Sequence, residues 1–229
     1  MLMHKISLKK YMIKAMAIII SGCSDNGLKA TLTNSLMEEM NNKWSFQLGQ
    51  FQSDNIECLY NILFILKCNM YVASKIGISY NIQFNTILEQ MLQMYETCCS
   101  TCSEILEQGG DVMSQSEIFK INYQIKATIV QIMIQFTESA TNIATIRNVV
   151  LPPLTMNLLE EFANSNPYCR IPDLLTLMKA IILKVEEQSI APFMEQIMTQ
   201  LFKPSVELIC DDYDSFMQFR IPLTEFMNS

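Results

Sequence analysis

Apolar residues recur every three or four positions along nearly the whole chain, the spacing that places side chains on one face of a helix. Ile56, Leu59, Tyr60, Leu63 and Phe64 form one stripe, and Phe84, Ile87, Leu88, Met91, Leu92 and Tyr95 form the next. A third stripe runs through Ile118, Ile121, Ile125, Ile129, Ile132 and Phe136. The fourth, Leu174, Leu175, Leu177, Met178, Ile181, Ile182 and Val185, is so wide that neighbouring elements must cover more than one flank. No credible strand interrupts these stripes, so the pattern predicts an all-α chain.

Turn chemistry divides the pattern. Asn26-Gly27, Gly77 and Gly109-Gly110 are read as helix ends that exploit positive φ, and Ser114 with Glu117 as a capping box. Pro172 and Pro192 suit a first helical turn, where a missing amide is tolerated. Helices are predicted over 6–21, 28–51, 54–76, 79–107, 115–139, 142–163, 171–187, 190–210 and 215–228. Taken in order they make about four hairpins and a final helix. The pair-to-pair spacing of about 50–60 residues is somewhat longer than the ~40–47 of HEAT and armadillo units. The expected architecture is an α-solenoid of HEAT-type helical hairpins, running as one segment over 1–229. Such units repeat an apolar face and a turn, not a fixed sequence. Every proline lies after Leu151, yet the helical pattern continues there, so the prolines mark turns and kinks.

Composition narrows what such a fold would do. The 229 residues are 50% hydrophobic and 17% charged, enough to build a sizeable core. A net charge of -7 and a single histidine argue against direct nucleic-acid binding, which rests on clustered Lys and Arg. Basic protein partners suit the surface better. Eight cysteines without framework spacing read as reduced thiols of an intracellular protein. No stretch reaches the roughly 18 uninterrupted apolar residues of a membrane span, and no membrane partner is expected. Near the start, Lys5, Lys9, Lys10 and Lys14 precede an apolar run ending Ile20-Ser21-Gly22-Cys23, the order of a lipoprotein cleavage site. Lys14 leaves too short an apolar core for a signal, which needs about 7–15 residues, so an amphipathic first helix is the preferred reading.

Little catalytic chemistry is available. Cys98, Cys99 and Cys102 have the local spacing of a metal half-site but lack a second half, and they continue the stripe of Met91, Leu92 and Tyr95. Packing is their expected role. His4 lies near the chain start, so neither a Cys-His pair nor a Ser-His-Asp set is expected. Glycine-rich phosphate loops are missing, and no metal or cofactor is expected. Glu38-Glu39, Glu160-Glu161 and Glu186-Glu187 read as solvated carboxylates on polar faces. Most of the seventeen methionines fall on the apolar stripes and read as core. Asp211, Asp212 and Asp214 form the sharpest acidic cluster, in a turn before the last helix. They suit either a basic partner or the start of the following helix through its dipole.

One stretch is more specific. Val149-Val150-Leu151-Pro152-Pro153-Leu154, followed by Leu158-Leu159-Glu160-Glu161-Phe162, resembles the proline-proline-leucine helix of the exportin-1 family of nuclear export receptors. Arg170, Pro172, Asp173 and Leu175, then Met178, Ile181 and Ile182, resemble the opening of that family's following repeat. Ile209, Asp212, Tyr213, Phe216 and Arg220 keep the spacing of a later family turn, although Met217 and Phe219 replace its usual proline and histidine. Upstream, Leu66-Lys67-Cys68-Asn69 with 73–77, and Met91-Leu92 with Tyr95, are similar to an earlier repeat. The resemblance covers about 28–226 and its motifs are structural.

It implies a ring-like solenoid that carries leucine-rich export-signal cargo with Ran-GTP, meets nucleoporins and shuttles between nucleus and cytoplasm, without enzymatic activity. Family members are several times longer, so the resemblance also implies a fragment or truncated form without the Ran-embracing amino-terminal repeats. Under it the helix near Lys5–Ile20 corresponds to one wall of the export-signal groove, where Tyr11 and Met12 would face cargo. Ile18, Ile19, Ile20, Phe219, Ile221, Leu223 and Phe226 lack a polar capping face, as expected where further repeats stack. The competing reading is a helical-repeat scaffold outside transport, for instance one holding an enzyme's subunits, which would ignore Ran.

Overall fold

The computed structural model describes residues 2–52 and 54–229, with side chains from Tyr11 onward, so the side chains of His4, Lys5, Lys9 and Lys10 lie outside the described residues. The described chain is all-α. Helices α1 (Leu2–Ser21), α2 (Asn26–Gly49), α3 (Ile56–Ile76), α4 (Asn81–Gly109) and α5 (Glu117–Ser139) are followed by α6 over 143–164. Helices α7 (Asp173–Ile182), α8 over 187–211 and α9 (Arg220–Met227) complete the array. Each hairpin starts with an odd helix, at Leu2, Ile56, Glu117 and Asp173, which keeps the predicted spacing.

Two layers result. Helix α1 packs on α3, α3 on α5, α5 on α7 and α7 on α9, while α2 meets α4 and α6 meets α8 in the second layer. This alternation of stacked hairpins is that of a helical-repeat solenoid. Because each helix needs neighbours on both flanks, the stripes are wide. In α3 the buried positions include Leu59, Ile62, Leu63, Leu66, Val72 and Ile76. The stretch Ile56–Gly109 is long and apolar enough to cross a membrane by composition, but half of its most apolar window is spent inside the fold and Gly77 breaks the helix.

The helix ends follow local chemistry, with corrections. Gly77 (φ 63°) and Gly110 (φ 71°) supply the positive φ that ends α3 and α4. Asn26-Gly27 does the opposite of what was expected and opens α2, because the Asp25 carboxylate accepts from the Leu28 amide at 2.9 Å. The predicted capping box of Ser114 with Glu117 does not form, and a single serine cap two residues later takes its place. Ser116 caps α5, accepting from the Phe119 amide at 3.3 Å, and Ser114 is buried in the preceding 3-10 turn.

Prolines shape the second half. Pro152 and Pro153 have no amide to donate and their rings crowd the carbonyl one turn back. Helix α6 accommodates them by widening to π turns at Ile146–Val150 and Leu154–Leu158, where Leu151 and Leu159 donate to Ile146 and Leu154. The same device recurs before Pro204, with a π turn at Met198–Phe202.

Polar groups tie the layers. Tyr80 donates to Asn69 Oδ1 at 2.8 Å, and Gln83 donates to the same oxygen at 2.9 Å and to Asn41 at 2.7 Å. Asn41 returns a bond to Gln83 at 2.9 Å, which joins α2, α3 and α4 through one buried network. Trp44 Nε1 donates to Gln90 at 2.7 Å, fixing α2 on α4.

Candidate functional site

Tyr11 and Met12 lie on the outward side of α1. The helix faces the core through Ile13, Ala17 and Ile20, one stripe at helical spacing, which turns Tyr11 (64% exposed) and Met12 (55% exposed) toward solvent. Met16, Ile18 and Ile19 are exposed beside them, and Leu28 and Leu32 add exposed apolar surface on α2. Of the three isoleucines expected on this apolar face, Ile18 and Ile19 are exposed, whereas Ile20 is buried. At the other end Ile221 is exposed, but Phe219, Leu223 and Phe226 are buried.

The acidic cluster belongs to the turn between α8 and α9. Asp211 ends α8, and the Asp212 carboxylate accepts from the Ser215 amide at 3.1 Å while its carbonyl accepts from the Phe216 amide at 3.2 Å. The bonds from Ser215 hold the Asp212 carboxyl below its ordinary pKa. Asp212 therefore braces the turn, and Asp211 and Asp214 remain exposed beside it. Tyr213 accepts from the Arg220 guanidinium at 3.2 Å, and Phe216 packs on Tyr168 with ring centroids 5.3 Å apart. With Met217 and Phe219 in place of proline and histidine, the chain makes a 3-10 turn at Met217–Phe219 and enters α9, with Phe219 against Phe162 at 6.2 Å. The two candidate surfaces are not brought together: α1 stacks at one end of the array and the α8–α9 turn sits at the other.

Next to the acidic turn runs a groove of about 540 Å³, lined by Phe119, Tyr123, Tyr168 and Phe216 with Lys120 and Gln218 at its polar edges. Nothing in the linear sequence marks it, because its walls come from α5, the α6–α7 turn and the α8–α9 turn.

A second feature missed by the sequence pattern is a buried ion pair. Lys126 on α5 is fully buried, donating to Glu161 Oε1 at 3.1 Å and to the Cys169 carbonyl at 3.0 Å. Its ammonium lies 5.3 Å from the centre of the Tyr95 ring, and the Tyr95 hydroxyl donates to Glu161 Oε2 at 3.0 Å. Burial disfavours the ammonium, but the Glu161 carboxylate at 3.1 Å outweighs it and holds the group above its ordinary pKa. Glu160-Glu161 were expected to be two solvated carboxylates; Glu160 is exposed, but Glu161 turns inward to pair with Lys126.

Cys98, Cys99 and Cys102 are buried in helix packing. Burial pushes the Cys98 thiol up to about 12 and raises Cys99 further, so both are protonated at neutral pH. Among the described residues no group of three or more His, Cys, Asp or Glu side chains is placed to hold a metal ion. What the surface offers is apolar stripes, an aromatic groove and an acidic turn, which are means of binding.

These features define an α-solenoid of stacked helical hairpins. Residues 83–229 match the family described as CRM1 C terminal, and the chain belongs to that family. It is similar to Protein EXPORTIN 1B of Arabidopsis thaliana, 26% identical over 210 residues, covering 89% of this chain and 19% of the relative. Exportin-1 of Dictyostelium discoideum is 22% identical over 213 residues (91% of this chain, 20% of the relative). Exportin-1 of Drosophila melanogaster is 22% identical over 223 residues (94% and 21%). The chain spans about a fifth of the length of these relatives.

Proposed function

We propose that the chain is one uninterrupted solenoid segment of a nuclear export receptor, acting with Ran-GTP and leucine-rich export-signal cargo in transport from nucleus to cytoplasm. The observation that carries this reading is the family match over 83–229, together with exportin-1 relatives aligned along about nine-tenths of the chain. The segment contributes binding surface and no catalysis. Cargo contacts Tyr11 and Met12, and the acidic turn at Asp211, Asp212 and Asp214 meets a basic patch of a protein partner. Nucleoporins are further partners during passage through the pore, and the protein shuttles between nucleus and cytoplasm.

The test is a chimaera in which this segment replaces the aligned stretch of the Arabidopsis relative. Binding of a fluorescent export-signal peptide is measured with Ran loaded with GTP or GDP. The reading expects peptide binding that depends on Ran-GTP, weakened at least several-fold by Tyr11→Ala with Met12→Ala. A folded chimaera that binds peptide equally with either nucleotide, or not at all, overturns it in favour of a scaffold outside transport.

A further inference from the structure

Cys102 and Cys169 are far apart in sequence and adjacent in space. Cys102 sits on α4, and Cys169 ends the 3-10 turn Pro167–Cys169 between α6 and α7, which packs directly on α4. Both are fully buried and share a small apolar cluster with Leu106 and Phe119, separate from the main core that takes Cys98 and Cys99. Within this cluster the Cys102 thiol donates to the Phe119 carbonyl at 4.0 Å, which leaves its sulfur in the small apolar space it shares with Cys169. The Lys126 ammonium holds the Cys169 carbonyl at 3.0 Å, placing a buried positive charge beside the pair.

We propose that Cys102 and Cys169 form a reversible intrachain disulfide when the protein meets a peroxide, linking α4 covalently to the α6–α7 turn. The attacking group is Cys169. Its thiol is held below the ordinary cysteine value by the neighbouring Cys102 side chain and by the charge of Lys126, which together outweigh the opposing effect of burial, whereas Cys102 is raised. The Cys169 thiolate attacks hydrogen peroxide, forming a sulfenic acid and releasing hydroxide; the Cys102 thiol then displaces water from that sulfenic acid to close the S–S bond. A dithiol reductant reverses the step. Access runs through the aromatic groove, because Phe119 of the cluster and the Tyr123 and Tyr168 rings packed against that cluster also line it. Movement of these rings opens the pair to a small oxidant. The bond ties neighbouring hairpins together and so restricts their adjustment, on which the curvature of a solenoid depends.

The experiment uses the full chain carrying Cys23→Ser and Cys210→Ser, which removes the intermediate and exposed thiols and leaves six. After hydrogen peroxide treatment and quenching, free thiols are counted in denaturant, and a digest after Glu, Lys and Arg is mapped under non-reducing conditions. The proposal expects a fall from six thiols to four, with fragment 97–104 joined to fragment 162–170 and the bond localised to Cys102 by fragmentation. Cys102→Ala should lose the cross-link and accumulate a dimedone-reactive sulfenic acid at Cys169. Helicity by circular dichroism checks that this variant folds, and the parental map stands without it. Six surviving thiols, or a cross-link through Cys98 or Cys99, would overturn the proposal. So would a folded Cys102→Ala variant in which Cys169 does not react.

Discussion

The Lys126–Glu161 pair gives an asymmetric prediction. At a separation of 3.1 Å and an effective dielectric of 20 the two charges attract by about 5 kcal/mol. Much of that offsets the removal of a fully buried ammonium from water, so the pair is worth far less than its Coulomb energy. Its two halves are not equivalent, because the Lys126 side chain has no exposure and that of Glu161 keeps 21%. Glu161→Gln leaves a buried cation with only the Cys169 carbonyl, a neutral amide oxygen and the Tyr95 ring. Breaking a buried pair in this way costs about 3–5 kcal/mol, reduced to about 2–4 here by the retained acceptor and the partial exposure. Lys126→Met keeps most of the apolar stem and leaves Glu161 with the Tyr95 hydroxyl and access to water, at the cost of the donor to the Cys169 carbonyl, so about 1–2 kcal/mol is expected. The double variant should resemble Lys126→Met. Urea unfolding followed by circular dichroism measures all three, with unchanged m values required for the comparison. A Lys126→Met loss equal to or greater than that of Glu161→Gln would refute the reasoning.

Three further outcomes follow from geometry. Gly77→Ala and Gly110→Ala each force a side chain into a positive-φ region with ψ near -132° and -176°, and should cost about 1–3 kcal/mol by thermal or urea unfolding, whereas helical Gly49→Ala, with open space around its Cβ, should be neutral or stabilising by up to about 1 kcal/mol. Phe136→Ala removes a fully buried ring stacked on Phe84 at 3.8 Å between α5 and α4 and should cost about 3–5 kcal/mol in the same assay. Asp212 has a folded pKa below its unfolded value, so its support for the turn is complete above the ordinary carboxylate pKa and is lost as pH falls through the lowered folded value. Hydrogen exchange at the Ser215 amide, corrected for intrinsic rate, should lose protection over that acidic range and should already lack it in Asp212→Ala at neutral pH.

The helical array was legible in the sequence because amphipathic periodicity is a local property: the stripe through Ile121, Ile125, Ile129 and Ile132 lies on the buried side of α5. Gly77 and Gly110 were legible for the same reason, since positive φ is a demand on one residue. The exportin resemblance rested on local motifs too, Leu151-Pro152-Pro153-Leu154 among them. Boundaries depended on competition among neighbours, so Ser116 capped α5 where Ser114 was expected. The π turns that absorb Pro152 and Pro204 were hidden because a helix can answer a lost hydrogen bond by breaking, kinking or widening, and packing decides among these. The rest belongs to tertiary structure. Lys126 and Glu161, Cys102 and Cys169, and the rings of the groove are separated in sequence, and no periodicity relates one helix to a distant turn. By itself the sequence determined which face of each helix would be buried; only stacking of the hairpins decided which polar groups met inside, because a buried charge or thiol takes its chemistry from the neighbours that replace water.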